Sequence, residues 1–171
     1  FALSDQNKIQ KVDWSMFAKV EKDKITIEHI LPQTPTKWYW RNQFRLYSDD
    51  EIKILSGSLG NLLPLAQSIN SGLQNDSFPD KKTASASGRR GYENGSHSEI
   101  EVAKENDWDA DRILSRGKKL LSFMEERWGF AFTGDAQKLE LLHLQFLQEP
   151  REDKPPIAEP EGVVLSSSTP M

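Results

Sequence analysis

The stretch that decides the fold is Ile27-Glu28-His29-Ile30-Leu31-Pro32-Gln33, which overlaps the segment KITIEHIL at residues 24–31. This segment is rich in β-branched residues and stops at a proline, so it predicts a short strand over 24–31. Leu59-Gly60-Asn61-Leu62-Leu63 opens a second short apolar run, which predicts a strand over 59–65. A short helix over 66–72 is predicted to follow and to end at a glycine. The sequence therefore indicates one strand pair with a short helix behind it.

Helical patterns fill most of the remaining chain. Residues 34–58 predict a helical insertion between the two strands, and within it Ser48 and Glu51 form a capping box. From Ala110 to Trp128 the apolar residues recur at three- and four-residue spacings, which predicts a long amphipathic helix. A further helix is predicted over 136–148. The expected fold class is thus α+β and mainly helical, with additional helices towards the C-terminus.

Composition limits the classes of protein to which the chain can belong. It has 171 residues, 36% of them hydrophobic, and no cysteine. The missing cysteine excludes a disulfide framework, a Cys-ligated zinc site and a thiol nucleophile. Because no run approaches the roughly 20 apolar residues that cross a bilayer, we expect no membrane span. The N-terminus has no signal pattern, so the expected location is the cytoplasm.

The chain is predicted to divide into three segments. Residues 1–23 are interpreted as a helical lead-in that ends a linker from an upstream domain, because the chain starts at Phe1 without a signal pattern. Residues 24–148 form the domain itself. Residues 149–171 hold five of the nine prolines and a serine run, a composition that predicts a disordered tail.

Charge is unevenly distributed between the two halves of the chain. Residues 1–95 carry 13 Lys and Arg against 11 Asp and Glu, a net of +2, and residues 96–171 carry 9 against 15, a net of −6. Together these sums give the net charge of −4. The acidic total therefore does not exclude a polyanionic partner for the first half.

A polar stretch at residues 79–98 contains Tyr92 as its only large apolar residue, and it predicts a long exposed loop. A capping box at Ser98 and Glu101 would open a short helix after it. The loop carries four basic candidates for contact with DNA phosphates: Lys81, Lys82, Arg89 and Arg90. A solvated loop whose charges only aid solubility explains the same composition.

The residues with chemical potential lie on the two strands and the short helix. His29 has a side chain that can take a proton from water near neutral pH. Glu28 and Asn70 offer hard oxygen donors, which favour magnesium or manganese over zinc. Asn61 can hydrogen-bond backbone and fix a loop. Each of these residues also has an ordinary structural explanation, and Glu28 and His29 point to opposite faces of a regular strand.

The joint arrangement resembles a known family. Ile27-Glu28-His29-Ile30-Leu31-Pro32-Gln33, Leu59-Gly60-Asn61-Leu62-Leu63 and Asn70 resemble the C-terminal His-Asn-His-type (HNH) nuclease domain of GmrSD-like type IV restriction endonucleases. The resemblance continues through Ser77-Phe78 and Lys81-Lys82, and then through four residues of the long helical region: Trp108, Ile113, Arg116 and Leu120. The same histidine and asparagine strings resemble the nuclease domain that cuts the target strand in RNA-guided CRISPR effectors.

The resemblance implies a ββα-metal (HNH) core, interrupted here by the helical insertion. His29 would be the general base, Asn61 would fix the loop that orients its ring, and Glu28 and Asn70 would ligate one Mg²⁺ or Mn²⁺ ion. The implied activity is DNA nicking that leaves 5′-phosphate and 3′-hydroxyl ends. The implied partners are double-stranded DNA, in particular modified phage or plasmid DNA, and an upstream NTP-hydrolysing sensor domain of the same protein. The oligomeric state stays open.

Two other functions explain part of the same sequence. A DNA-binding module could keep the fold without cutting, although the complete set of site residues argues against it. A partner-docking domain could use the leucine face of the helix that follows Asp135. Two side-chain roles also stay open, since the aromatic cluster that begins at Trp38 could stack on bases or pack in a core. Arg116 could contact phosphate or form a salt bridge on its helix.

Overall fold

A computed structural model gives the fold of residues 24–83 and 90–159. The lead-in predicted for residues 1–23 lies outside these described residues. The described chain is mainly helical and contains one two-stranded antiparallel sheet, which confirms the predicted α+β class. None of the described helices is long and apolar enough to span a membrane.

The sheet pairs strand β1 (Ile25–His29) with strand β2 (Leu62–Ala66), so that His29 lies opposite Leu62. Both strands lie where the sequence predicts them, but they are shorter. The first three residues of the second predicted strand form a 3₁₀ turn (Leu59–Asn61), in which the Asn61 amide donates to the Ser58 carbonyl at 2.8 Å. Helix α3 (Gln67–Leu73) follows β2 directly.

The insertion between the strands contains helix α1 (Trp38–Gln43) and helix α2 (Asp49–Gly57), and α2 has the predicted capping box. Helix α1 does not begin at Thr34, because the Asn75 side chain holds the preceding backbone in a loop. The Asn75 amide donates to the Thr34 carbonyl at 2.5 Å, and its oxygen accepts from the Thr36 amide at 3.3 Å.

Two aromatic residues of the insertion are core residues. Trp40 and Phe44 are buried and pack in the main apolar cluster of the domain, which favours packing over base stacking for this pair. The insertion is therefore an integral layer of the domain.

The prediction of a long exposed loop at residues 79–98 is wrong for most of the described part of this stretch. Helix α4 (Phe78–Thr83) opens the stretch, a 3₁₀ turn covers Tyr92–Asn94, and helix α5 spans His97–Ala103. The capping box of α5 consists of Ser96 and Glu99, two residues before the predicted pair. The polar composition predicts an exposed loop, but one buried aromatic residue in each half holds the stretch against the domain: Phe78 and Tyr92.

Helix α6 (Ala110–Trp128) has the predicted bounds. Helix α7 (Asp135–Leu141) is shorter than predicted, because His143 adopts a φ of 56° and the chain continues as a 3₁₀ turn (Gln145–Gln148). The leucine face of this region points into its own chain, where three residues are buried: Leu139, Leu142 and Leu144. This packing argues against the partner-docking interpretation of that face.

Residues 149–159 have no helix or strand, yet they return across helix α1. Arg151 Nη2 lies 2.7 Å from Glu51 Oε1, and the Ile157 amide donates to Asn42 Oδ1 at 2.9 Å. The first part of the segment predicted as a disordered tail is thus attached to the domain. Residues 160–171 lie outside the described chain.

The 3₁₀ turn approaches helix α6 at Gly60. A Cβ atom at this position would lie 1.8 Å from the Ile113 carbonyl oxygen, a backbone atom that no side-chain rotation can move. We expect Gly60→Ala to lower the free energy of unfolding by about 1–3 kcal/mol, measured by urea denaturation.

Gly57→Ala is the matched control for this variant. Nothing lies within 4 Å of the Cβ that it would add at the end of helix α2. Its effect should be neutral or slightly stabilising, because alanine favours helix more than glycine does. Equal stability of both variants would contradict the close approach.

Candidate functional site

His29 is the last residue of β1 and is half-buried. Its carbonyl oxygen accepts a hydrogen bond from Lys81 Nζ at 3.1 Å, and within the described chain no hydrogen bond reaches its imidazole ring. Burial lowers the pKa of His29 below 6.5; the Glu28 carboxylate opposes this effect, and the Lys81 ammonium adds to it. The ring is therefore mainly neutral at pH 7 and available to accept a proton.

Asn61 holds the chain that leaves His29. Its fully buried side chain donates from Nδ2 to the Leu31 and Ser56 carbonyls, both at 2.9 Å. Its Oδ1 accepts from the Leu31 amide at 2.8 Å and from Trp108 Nε1 at 3.0 Å. All four hydrogen-bonding positions of the amide, two N–H donors and two oxygen lone pairs, are thereby used, and they fix the loop that leaves β1.

Asn70, on helix α3, is anchored to the strand that carries His29. Its Nδ2 donates to Thr26 Oγ1 at 2.9 Å and to the Ile27 carbonyl at 3.2 Å. Because a carbonyl only accepts, this contact fixes which end of the amide is nitrogen. Asn70 Oδ1 makes no hydrogen bond to the described residues, and it is free to bind another group.

Glu28 is buried on the inner face of β1, where it forms an ion pair. Its Oε1 lies 2.6 Å from Lys81 Nζ and accepts from the Tyr92 hydroxyl at 2.9 Å. Both side chains of the ion pair are almost completely excluded from solvent. Burial and the neighbouring Glu28 carboxylate raise the pKa of Tyr92, so its hydroxyl stays protonated and donates.

The ion pair corrects the predicted role of Lys81. Its ammonium is fully buried and also donates to the His29 and Ile30 carbonyls, each at 3.1 Å. A side chain in this position does not reach the phosphates of a bound DNA. Lys81 instead joins helix α4 to the end of β1, next to His29.

The other predicted phosphate contacts are not gathered at one place. Lys82 Nζ donates to the Glu105 carbonyl at 2.8 Å, and Arg90 lies 3.5 Å from the Glu99 carboxylate. Arg89 lies outside the described residues. Arg116 takes neither of its two predicted roles, since its Nη1 donates to the Gly60 carbonyl at 2.6 Å and to the Leu62 carbonyl at 2.8 Å.

The strand alternation divides the predicted metal and base residues between two faces. β1 continues through His29, so Thr26 and Glu28 share the inner face and His29 belongs to the outer one. Asn70 contacts the Thr26 hydroxyl and therefore lies on the side of Glu28. In the described residues, no three His, Asp or Glu side chains converge on one point.

The donor chemistry of the inner face fits a small hard cation. Asn70 Oδ1 and Glu28 Oε2 are both oxygens without a hydrogen-bond partner in the described part of the chain. Mg²⁺ commonly binds one or two such oxygens and keeps water or phosphate oxygens in its remaining positions. Lys81 balances part of the Glu28 charge, so of the two candidate ligands Asn70 is the one that is not already in an ion pair.

Sequence reasoning missed three residues that support the site: Tyr92, Trp108 and the structural role of Lys81. Tyr92 carried a signal, since it is the only large apolar residue of its polar stretch. Trp108 and Lys81 carried none beyond their place in the family resemblance, because their partners Asn61 and Glu28 are far away in the chain.

Comparison with known proteins identifies the family. No curated protein and no solved structure gives a significant match to the chain. The sequence model of the family described as "GmrSD restriction endonucleases, C-terminal domain" matches residues 4–123, more than half of the chain. The matched region contains every residue of the site described above. The chain therefore belongs to the family of C-terminal domains of GmrSD restriction endonucleases.

Proposed function

We propose that this domain is a metal-dependent endonuclease that nicks DNA, with His29 as its general base. The observation that carries the proposal is the setting of His29: Lys81 holds its carbonyl, Asn61 holds the loop that follows it, and its imidazole has no hydrogen-bond partner in the described chain. Burial lowers the pKa of the ring below 6.5, so it is mainly neutral at pH 7. A restriction-endonuclease family acts on DNA, which makes a phosphodiester the expected substrate.

The reaction follows from the chemistry of this base. The imidazole of His29 removes a proton from a water molecule, and the water oxygen attacks phosphorus in line with the leaving 3′ oxygen. The bond to the 3′ oxygen breaks, and this oxygen takes a proton from a solvent water, which leaves a 5′-phosphate and a 3′-hydroxyl. Asn61 keeps the loop after His29 in one conformation, so the ring need not be ordered during each turnover.

A divalent cation would be held by Asn70, together with Glu28 through its second oxygen. Because these ligands and His29 belong to opposite faces of β1, the scissile phosphate would have to lie across the end of the strand, where His29 is the last residue. When bound, Mg²⁺ or Mn²⁺ supplies stabilisation of the negative charge that develops on the phosphate and leaving oxygens. The order of two antiparallel strands followed by helix α3 supports a ββα-metal (HNH) core. In this proposal the domain is the effector of a bacterial protein that restricts modified phage or plasmid DNA, with recognition left to an upstream NTP-hydrolysing region.

Nicking of supercoiled plasmid tests the proposal. The full chain should convert supercoiled plasmid to open circle with Mg²⁺ and lose this activity with excess EDTA. We expect Asn70→Ala to lower the nicking rate at least about tenfold at subsaturating Mg²⁺, because one oxygen ligand is lost. DNA binding without nicking under any divalent metal would favour the non-catalytic DNA-binding function instead.

Thr26→Val is the matched control for Asn70→Ala. It removes the hydrogen bond between Thr26 Oγ1 and Asn70 Nδ2 but leaves Asn70 Oδ1 in place. Its nicking rate should stay within about threefold of wild type, because Asn70 keeps its contact with the Ile27 carbonyl. Equal losses in both variants would assign Asn70 a structural role only.

A further inference from the structure

A groove of about 730 Å³ opens beside the loop that leaves β1. It is lined by Gln33, Thr34 and Pro35 of that loop, by residues of helices α1 and α2 and of the turn between them, and by Ile157 of the segment that returns across α1. Phe44 and Ile52 contribute apolar surface to it. The groove therefore starts on the same loop that follows His29 and is fixed by Asn61.

The charged residues of this groove are mostly basic. Among the described residues, Arg41 from α1, Arg45 from the turn that follows α1 and Lys53 from α2 line it, against Asp49 as the single acidic lining residue. Three positive charges against one give the lining residues an excess of +2, which Asp153 reduces to +1 because its carboxylate lies 3.7 Å from Arg45 Nη2, in a chain whose net charge is −4. Such an excess attracts a polyanion to this part of the surface.

Arg41 and Lys53 differ from most basic residues of the domain. Many lysines and arginines form ion pairs, including Lys37 with Asp76, Lys118 with Asp135 and Arg151 with Glu51. Arg41 and Lys53 are exposed, and neither side chain forms an ion pair or hydrogen bond within residues 24–83 and 90–159. Their charges are available to an external ligand.

Arg45 already contacts oxygen atoms of its own chain in this groove. Its Nε donates to the Lys154 carbonyl at 2.7 Å, and its Nη2 lies 3.7 Å from the Asp153 carboxylate. Because these contacts hold the segment that returns across α1, Arg45 is already partly occupied by its own chain. Arg41 and Lys53 are thus the residues through which an external anion can be tested.

We propose that this groove binds the phosphate backbone of DNA and guides the strand towards the loop that follows His29. The inference rests on the proposed function only in taking DNA as the substrate. It assigns the DNA contact to the helical insertion, whereas the sequence pointed to the stretch at 79–98. Guanidinium and ammonium groups bind phosphate oxygens without reading sequence, so the groove would serve any cleavage site.

Binding of a fluorescent 30-base-pair duplex to the full chain tests this proposal. The measurement uses a His29→Ala background to keep the DNA intact, with anisotropy recorded between 50 and 200 mM salt. Arg41→Gln combined with Lys53→Gln should weaken binding at least about tenfold at 0.1 M salt. It should also reduce the slope of log Kd against log salt by about 2, since each lost phosphate contact removes about 0.9.

The matched control is Lys104→Gln combined with Arg127→Gln. It removes one lysine and one arginine, both exposed, and neither lines the groove. Its affinity and salt slope should equal those of the parent, and an equal loss in both double variants would overturn the proposal by showing only a net-charge effect. Unchanged melting temperatures by circular dichroism would show that both variants fold.

Three further outcomes would overturn the assignment of the groove. They are unchanged binding in the groove variant, no duplex binding by the parent at low salt, and binding of a polyglutamate peptide as tight as that of DNA with the same dependence on Arg41 and Lys53. Because binding is measured without cleavage, a failure to nick plasmid would contradict the proposed function and leave the groove intact. Nicking by the wild type together with unchanged DNA binding in the groove variant would contradict the groove assignment and leave the proposed function intact.

Discussion

His29→Ala should reduce plasmid nicking by at least about a hundredfold while the fold and the affinity for DNA stay unchanged. A positioned general base contributes roughly 10²- to 10⁴-fold to the rate of the step that it assists. The imidazole makes no hydrogen bond to the described residues, so alanine leaves no buried polar group unpaired. Initial rates of open-circle formation measure the loss of nicking. A thermal melt checks the fold, and anisotropy of a labelled duplex checks the affinity for DNA.

His97→Ala is the control for this variant. His97 is exposed on helix α5, and among the residues that the structure describes its one ionic neighbour is Glu101 at 3.9 Å. Its removal should leave the nicking rate within about twofold of wild type, as expected for surface substitutions away from a site. Cutting by the His29 variant at the wild-type rate would remove the general-base assignment.

The pH profile of nicking provides a second readout of His29. The neutral imidazole accepts the proton, so the rate should fall as pH falls through the pKa of His29 and stay level above it. Because burial lowers this pKa below 6.5, the fall should have its midpoint below pH 6.5, and the base should be almost fully active at pH 7. The residual nicking rate of His29→Ala should not fall in this way towards low pH. A fall that persists in the variant would show that another titrating group causes it.

Lys81→Met should lower the free energy of unfolding by roughly 3–5 kcal/mol, because it leaves the Glu28 carboxylate buried without its counter-ion. Methionine is an unbranched apolar side chain that cannot neutralise Glu28 or donate to the His29 and Ile30 carbonyls. Urea denaturation of the purified variant measures the loss. Nicking should fall as well, even under conditions where the variant is folded, because the end of β1 loses its anchor.

Two variants isolate the contribution of the ion pair. Lys82→Met removes the neighbouring lysine, which makes one hydrogen bond to the Glu105 carbonyl, and it should cost about 1 kcal/mol. Adding Glu28→Gln to Lys81→Met removes the unpaired charge and should recover part of the stability. If Lys81→Met were no less stable than Lys82→Met, the buried pair would not support the fold.

The parts of the fold that depend on local signals could be predicted from the sequence. Helix α6 has its bounds at Asp109, whose side chain caps the Arg112 amide, and at Gly129, which adopts a φ of 68°. Both are short-range effects of residue type. Helix α4 was missed because its sequence is polar and short, and burial of Phe78 and Lys81 holds it against the domain.

The candidate site was predictable to a similar extent. His29, Asn61 and Asn70 stood out because they sit at element ends within a recognisable motif set. The partners of Glu28 could not be deduced, since Lys81 is separated from it by 53 positions and Tyr92 by 64. Only the tertiary fold decides whether a carboxylate on a strand faces a cation of its own chain or an external metal.

The insertion between β1 and β2 has a consequence for the order in which the domain folds. The contact between Leu31 and Asn61 closes a loop of about thirty residues, and that between Glu28 and Lys81 closes a longer one. A compact hairpin would zip from a tight turn, but here chain entropy opposes strand pairing until helices α1 and α2 have shortened the path. The surroundings of His29 are therefore assembled from distant segments, and we expect the proposed nicking activity to require the complete tertiary structure.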